Sequence, residues 1–357
     1  MEAKRRFNTF GTLLTEVIRP GLCISCGACV ASCEAKILSF VDETPTMKGK
    51  CTLCEYCYYQ CPKTKETEEF LVELEKKAFG NVRTKEEEDI GINIVLYSAR
   101  SLKENIRKEG QDGAVVTTLL AYMLDKKLVD GAVVAGLSKE EPWKPLPKIA
   151  FTEDELIASA GTKYTSSPNL MALSSDILKD GNRKVAFVGT PCQVLALRKS
   201  QFHWHGFKAM GNLVSLVIGL FCMKCFSYNK LIKEYLQRQK ELELERVTKF
   251  DIKKGKFLAY IGEEIVLSIP IAEIYPLAKQ GCYVCKDLTS ELADISVGSI
   301  GSPQGWSTVI IRNEKGKDIF DSAVRDGYIE CKKLSEVIPG LEALIKLSHK
   351  KKEKALK

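Results

Sequence analysis

From residue 93 onward, short apolar stretches alternate with longer segments whose apolar positions recur every three or four residues, which predicts strands of a buried sheet joined by covering helices. The pattern places strands over 94–97, 131–135, 185–188, 294–297 and 307–311, and helices over 114–126, 169–179, 191–199 and 334–347. Segments 258–261 and 265–269 flank Gly262 and predict a hairpin. The longest apolar run, 213–222, is about half the ~18 residues that cross a bilayer and reads as a buried strand with Gly219 near its end. Before residue 90 the texture differs. Phe70, Leu71, Leu74 and Ala78 lie at helical spacing within 66–79, Gly80-Asn81 stops that helix, and a charged linker follows over 83–89. Two units are therefore expected, a small α+β one over 1–85 and an α/β one over 86–357.

Composition agrees with a protein that buries a proper core: 357 residues, 45% hydrophobic and 28% charged. The net charge of +7 is unevenly spread. Residues 64–89 are acidic, whereas the tail from His349 is rich in lysine and reads as a solvated helix end, with docking to an acidic partner or a membrane surface as the alternative. Basic residues are not interleaved with aromatics, so a nucleic-acid partner is not expected. The start, MEAKRRFNTF, has no apolar signal core, and the expectation is a cytoplasmic protein, at most peripheral to a membrane complex, with no transmembrane segment.

Cysteine changes the picture most. Eight of the fourteen fall in two runs, Cys23-x2-Cys26-x2-Cys29-x3-Cys33 and Cys51-x2-Cys54-x2-Cys57-x3-Cys61-Pro62, the spacing by which a bacterial-type ferredoxin holds two [4Fe-4S] cubanes. A loop with a cysteine at every third residue wraps three corners of one cube while the fourth points away and completes the other. Cys23, Cys26, Cys29 and Cys61 are thus expected on one cluster, and Cys51, Cys54, Cys57 and Cys33 on the second. Gly27 lets the backbone turn close to the sulfides, and Glu34 stands where proline commonly follows. Zinc would leave a third cysteine of each run idle, and disulfides would need an oxidising compartment. The first unit is accordingly read as ferredoxin-like, carrying electrons one at a time.

Three turns of the second unit carry candidate chemistry. Gln111-Asp112-Gly113-Ala114 leads into an apolar helix and suits either phosphate approach or an ordinary cap on Asp112. Gly189-Thr190-Pro191-Cys192-Gln193 puts Cys192 at a helix start, as a nucleophile, a redox thiol or a metal ligand; no histidine in the motif serves it as a base. Cys222-x2-Cys225 and Cys282-x2-Cys285 admit zinc, a redox disulfide or a third iron–sulfur cluster, and the electron-carrying first unit favours the cluster. Cys331 reads as packing, and three histidines argue against a histidine-based metal centre. There is no G-x-G-x-x-G, Walker A or G-x-S-x-G sequence, which disfavours a nicotinamide site. Flavin is the usual converter between two-electron chemistry and single electrons.

At these residues the chain resembles the beta subunits of coenzyme F420-reducing hydrogenase, of F420-dependent formate dehydrogenase and of the F420H2 dehydrogenases of archaea. The resemblance rests on the paired cysteine runs, the 112–117 turn, Ala160-Gly161-Thr162-Lys163-Tyr164 with Ser167-Pro168-Asn169, the 189–193 turn, Gly219-Leu220-Phe221-Cys222, Gly281-Cys282-x2-Cys285-x-Asp287 with Ala293-Asp294-Ile295-Ser296-Val297-Gly298, and 305–312. It implies an α/β flavin-binding unit holding FAD, with a third [4Fe-4S] cluster carried onto Cys192, Cys222, Cys282 and Cys285; Cys225 is an extra thiol whose part stays open. Implied FAD contacts are Asp112, Gly113 and Thr117; Gly161, Lys163, Tyr164, Ser167, Pro168 and Asn169; Gly189, Thr190, Pro191 and Gln193; and Asp294, Gly298 and Ser302. Ala114 stands where similar proteins often have a second glycine. The implied reaction passes hydride between F420, the substrate, and FAD, with single electrons leaving through the clusters to a partner: a hydrogenase, a formate dehydrogenase, a heterodisulfide reductase or a membrane complex. The anionic tail of F420 calls for a basic entrance, for which Lys163, Lys224, Lys279 and Lys286 are candidates, and no side chain is singled out as catalytic. The competing readings are a relative acting on another organic substrate and a flavin-free electron-transfer adaptor.

Overall fold

The computed structural model describes residues 7–174 and 183–355. In the first unit each cysteine run is a loop that closes on one helical turn, Ala28–Ala31 or Tyr56–Tyr59, entered through a left-handed residue, Gly27 (φ 89°) or Glu55 (φ 63°). A hairpin lies between them. Strands β1 (Leu38–Val41) and β2 (Thr44–Met47) pair antiparallel, with Asp42 and Glu43 both at positive φ in the two-residue turn. The helix Lys65–Phe79 follows and ends on Gly80 in the left-handed conformation, as its periodicity predicts.

The second unit contributes β3 (Val95–Ser101), β4 (Gly131–Leu137), β5 (Pro145–Ala150), β6 (Val185–Gly189) and β7 (Val214–Leu220). An antiparallel excursion of β8 (Lys249–Lys253), β9 (Lys256–Ile261) and β10 (Glu264–Pro270) forms its own three-stranded sheet. The chain then returns with β11 (Ile295–Gly298), β12 (Ser307–Ile311) and β13 (Ile329–Lys333). The large sheet has the order β13-β3-β12-β11-β7-β6-β4-β5; β11, β7, β6 and β4 run parallel, and both flanks are antiparallel.

Alternate residues of the parallel strands face opposite cores, which is why those strands read as unbroken apolar runs. Ala186, Val188, Leu216 and Ile218 meet the helices Val115–Asp125 and Glu314–Arg325 on one face. Val185, Phe187 and Val217 meet the helix Pro191–Phe202 on the other. Phe70, Leu74, Ala28 and Ala31 of the first unit join that second core, so the cysteine-bearing unit is part of the packing rather than a tethered appendage.

Two expected helices differ. Asn169–Leu173 is a single 3-10 turn, and the rest of the 169–179 expectation reaches beyond the described residues. The closing helix is displaced to Gly340–Ala355, because Pro339 separates it from the short turn Leu334–Glu336. Its lysine-rich end is only partly solvated: Lys351 is buried and Lys352 pairs with Glu291 at 2.7 Å. Among the described residues, no helix is long and apolar enough to cross a membrane.

Candidate functional site

Two small cavities in the first unit are ringed by thiols. Cys23, Cys26, Cys29 and Cys61 line one, with Gly27 and Pro62, and Cys33, Cys51, Cys54 and Cys57 line the other. The fourth cysteine of each run therefore sits with the other run's first three. None of the fourteen cysteines is in a disulfide. Burial pushes the Cys57 thiol up to about 12 and the Cys61 thiol to about 11, and it raises Cys26 and Cys29 as well, with neighbouring thiols adding to the shift at Cys26, Cys29 and Cys57. Such groups stay protonated at neutral pH unless a bound cation takes the proton's place, which is what a metal centre does. Among the described residues no three thiols, carboxylates or imidazoles close on one point as they would around a single ion. Eight sulfurs ringing two spaces fit a larger iron–sulfur body better than a mononuclear one.

A third collection of thiols lies at the carboxyl edge of the parallel strands, the edge where open α/β sheets bind ligands. Cys192 follows β6 at the start of the helix Pro191–Phe202, and Cys222 follows β7. Cys282 and Cys285 come from the loop before β11, and Cys225 joins them, its N–H 3.4 Å from Cys282 Sγ and its own Sγ 3.3 Å from Ser166 Oγ. Burial drives Cys192 up to about 12 although Thr190 Oγ1 lies 3.2 Å away, so the helix start alone does not favour a thiolate there. Lys351 Nζ, from the closing helix, donates to the carbonyls of Cys222 and Asp287.

The three collections form a row. Cys26 of the first ring lies close enough to Cys192, and Cys29 to Cys57 of the second ring, for each neighbour to oppose its ionisation. Close backbone packing enforces this: a Cβ on Gly27 would fall 2.8 Å from the Pro168 carbonyl, and one on Gly281 would fall 2.1 Å from the Leu22 carbonyl. Sequence reasoning found every thiol of the row but not the adjacency.

The expected flavin contacts gather along the same sheet edge, where many are spent on one another. Gly113 N donates to Ser307 Oγ at 3.0 Å, and a Cβ there would lie 2.4 Å from the Ala99 carbonyl, so this glycine is required for packing the turn onto β3 and β12. Asp112 and Ala114 both adopt left-handed φ, 51° and 55°; burial raises the Asp112 carboxyl, with Asp251 adding to it. Thr117 is half-buried in the first turns of the helix that follows. Gly161 turns at φ 77°. Lys163 Nζ is held by the carbonyls of Ser159, Ala160 (2.7 Å) and Gly161 (3.2 Å), and desolvation lowers it to about 8. Tyr164 packs edge-on against Phe257 with ring centroids 5.6 Å apart.

Ser167 Oγ donates to Asn169 Oδ1 at 2.6 Å, Asn169 Nδ2 to the Val188 carbonyl at 3.0 Å, and Gln193 Nε2 to the Ser167 carbonyl at 2.6 Å. Gln193 and Thr190 form a capping box, with Pro191 opening the helix and Pro168 buttressing the first cysteine loop. A Cβ on Gly189 would strike Phe187 at 2.5 Å and one on Gly298 would strike Phe221 at 2.2 Å; Ser302 Oγ lies 2.8 Å from Thr308 Oγ1. Asp294 departs from its expected role. It is 1% exposed, pairs with Arg198 at 2.8 Å, and accepts from Val217 N (2.8 Å) and Asn313 Nδ2 (2.6 Å), so its oxygens brace strands instead of facing a ligand. Of the lysines proposed for a basic entrance, Lys279 is tied to Glu43 at 3.2 Å and Ser25, Lys224 lies over the Tyr283 ring, and Lys286 is exposed.

A mixed α/β sheet with thiols massed at its binding edge and in the unit docked beside it is the build of an oxidoreductase. Comparison with known proteins makes the family definite. Residues 96–174 match the model of the coenzyme F420 hydrogenase/dehydrogenase beta subunit N-terminus, and residues 182–337 match that of its C-terminus. Coenzyme F420 hydrogenase subunit beta of Methanothermobacter thermautotrophicus is 46% identical over 268 residues, covering 75% of this chain and 94% of that protein. A subunit of the F(420)H(2) dehydrogenase of Methanosarcina mazei is 31% identical over 350 residues, covering 95% and 92%. Among solved structures, a chain of the F420-reducing [NiFe] hydrogenase complex from Methanosarcina barkeri superposes with a TM-score of 0.71 at 38% identity, over 75% of this chain and 91% of that one. The chain belongs to the family of coenzyme F420 hydrogenase/dehydrogenase beta subunits, oxidoreductases acting in F420-linked electron transfer.

Proposed function

We propose that this chain exchanges hydride with coenzyme F420 at an FAD held on the carboxyl edge of the large sheet and passes single electrons through three [4Fe-4S] clusters to or from a partner oxidoreductase subunit. The observation that carries this reading is the row of thiol sites, in which Cys192 neighbours Cys26 and Cys29 neighbours Cys57. When bound, FAD supplies the conversion between hydride and single electrons, and iron–sulfur clusters supply one-electron carriage. The chain's own residues supply the scaffold: the two thiol rings of the first unit, and Cys192, Cys222, Cys282 and Cys285, with Cys225 beside them, for the third cluster.

The turns at 161–169 and 189–193 are held by internal hydrogen bonds, and those at 112–117 and 298–302 by bonds to β12, as an edge that orients a flavin must be. Lys224 and Lys286 remain as cations for the anionic tail of F420. A partner subunit, whether hydrogenase, formate dehydrogenase, heterodisulfide reductase or membrane-complex component, carries the other half-reaction. Anaerobically purified protein is expected to hold about twelve irons and one FAD per chain and to oxidise reduced F420 with a one-electron dye. Iron without flavin would favour the adaptor reading, and flavin without F420 turnover would favour another organic substrate.

A further inference from the structure

The family match ends at residue 337, and the helix Gly340–Ala355 lies beyond it. Leu344, Ser348 and Lys351 form the buried stripe of that helix at i, i+4 and i+7, so an ammonium occupies a position where helical packing calls for an apolar side chain. Lys351 is 5% exposed, and its Nζ donates to the carbonyls of Cys222 and Asp287. The adjacent carboxylate is turned elsewhere, Asp287 accepting from Ser290 N at 2.7 Å and Glu291 N at 2.9 Å, and Lys351 has no ion pair among the described residues. A buried, unpaired ammonium is costly. Around it, besides Asp287, lie the thiols of Cys222, Cys282 and Cys285, with the Lys224 ammonium near enough to oppose it. The helix does not depend on Lys351 for its docking: Lys352 pairs with Glu291, His349 lies 3.2 Å from Asp89, and Ser348 Oγ donates to the Asp89 carbonyl.

We propose that Lys351 is the internal counter-cation of the third thiolate site and a positioning residue for its redox potential. Resting on the cluster assignment above, the idea is that a fixed positive charge beside Cys222 and Cys285 offsets the negative charge of four thiolates and stabilises the reduced form. One electron enters, the site becomes one charge more negative, and the ammonium keeps its proton throughout. The surroundings of a cluster tune its potential in this way. The other ion pairs of the helix hold it in place, and Lys351 supplies the charge.

The test is an EPR-monitored redox titration of the anaerobically purified, cluster-loaded full chain, comparing wild type with Lys351→Met, Lys351→Gln and Lys351→Arg. At the wild-type midpoint of the third cluster, Lys351→Met is expected to hold a reduced-to-oxidised ratio about tenfold lower, equivalent to about 59 mV for one electron, while the two ring clusters keep their midpoints. Lys351→Arg is expected to restore the ratio. An unchanged third midpoint in Lys351→Met overturns the proposal. Should Lys351→Met assemble less iron, the other variants decide: recovery of iron and midpoint by Arg but not Gln supports the counter-cation, and equal recovery by both overturns it. A wild type with about eight irons and no third signal removes the site itself and overturns the underlying assignment.

Discussion

Asp294 shows how a residue in a recognisable motif can serve the scaffold. Its carboxylate meets Arg198, the Val217 N–H and Asn313, and both partners of the ion pair are buried, at 1% and 3% exposure. Removing one member of such a pair strands the other charge, so Asp294→Asn is expected to cost about 3–5 kcal/mol in denaturant unfolding. Although burial opposes ionisation, Arg198, Lys315, Asn313 and the Val217 N–H hold the carboxyl below its usual 3.8. Its contribution is therefore complete above about pH 4 and is lost as pH falls through the depressed value, and the stability difference between wild type and variant is expected to narrow only in that acid range. The Ala-Asp-Ile-Ser-Val-Gly sequence around 294 was legible as a motif. Its role was not, because whether a carboxylate faces a ligand or an arginine 96 positions away is settled by tertiary packing.

Glycines at the level of loops and turns separate close approach from mere chain direction. Gly281 sits against the Leu22 carbonyl, 2.1 Å from where a Cβ would be, while Gly255 turns at φ 72° with open space around it. Gly255→Ala is expected to cost about 1 kcal/mol for its left-handed backbone alone. Gly281→Ala must push the Cys282–Cys285 loop off the Cys23 loop, so a larger loss in thermal unfolding is expected, with reduced iron content as its second sign. Elements with clean periods were visible in the sequence, as at 66–79 and 191–199. The segment Tyr228–Gln239, wound as a π-helix, also buries Tyr228, Leu231, Ile232, Tyr235 and Leu236 at spacings of three and four, yet it lies outside the helices expected from the sequence. Strand β5 was obscured by Pro145 and Pro147, which suit an edge strand and suppress the strand signal, and β8 is too charged to show alternation.

At the scale of the molecule, what makes the row of thiols continuous is the docking of the first unit. Lys199, fully buried, reaches from the helix Pro191–Phe202 to the Cys61 carbonyl at 3.1 Å, Thr67 Oγ1 at 2.6 Å and Glu66 at 3.0 Å. Glu43, at the tip of the first unit's hairpin, accepts from Ser227 Oγ and the Tyr228 N–H and pairs with Lys279. Lys199→Met is expected to loosen this junction by about 3–5 kcal/mol, read as faster proteolysis at the 83–89 linker. Cys26 and Cys192 stand far apart in sequence, so no spacing rule could have shown that they meet.

That order of sites makes a prediction which separates chemistry from delivery. With the Cys192 collection nearest the sheet edge and the Cys33, Cys51, Cys54 and Cys57 ring farthest along the row, the proposed function has electrons from the flavin side reach the far ring last. Cys54→Ser combined with Cys57→Ser removes donors from the far ring only, and the core of the second unit does not depend on either. Bleaching of the bound flavin by reduced F420 in stopped flow is expected to stay within about twofold of wild type, while electron delivery to the partner drops by about tenfold or more, because the last carrier is gone. Equal loss of both rates would mean that the far ring supports the fold of the flavin edge, and loss of neither would mean that electrons leave from the middle of the row.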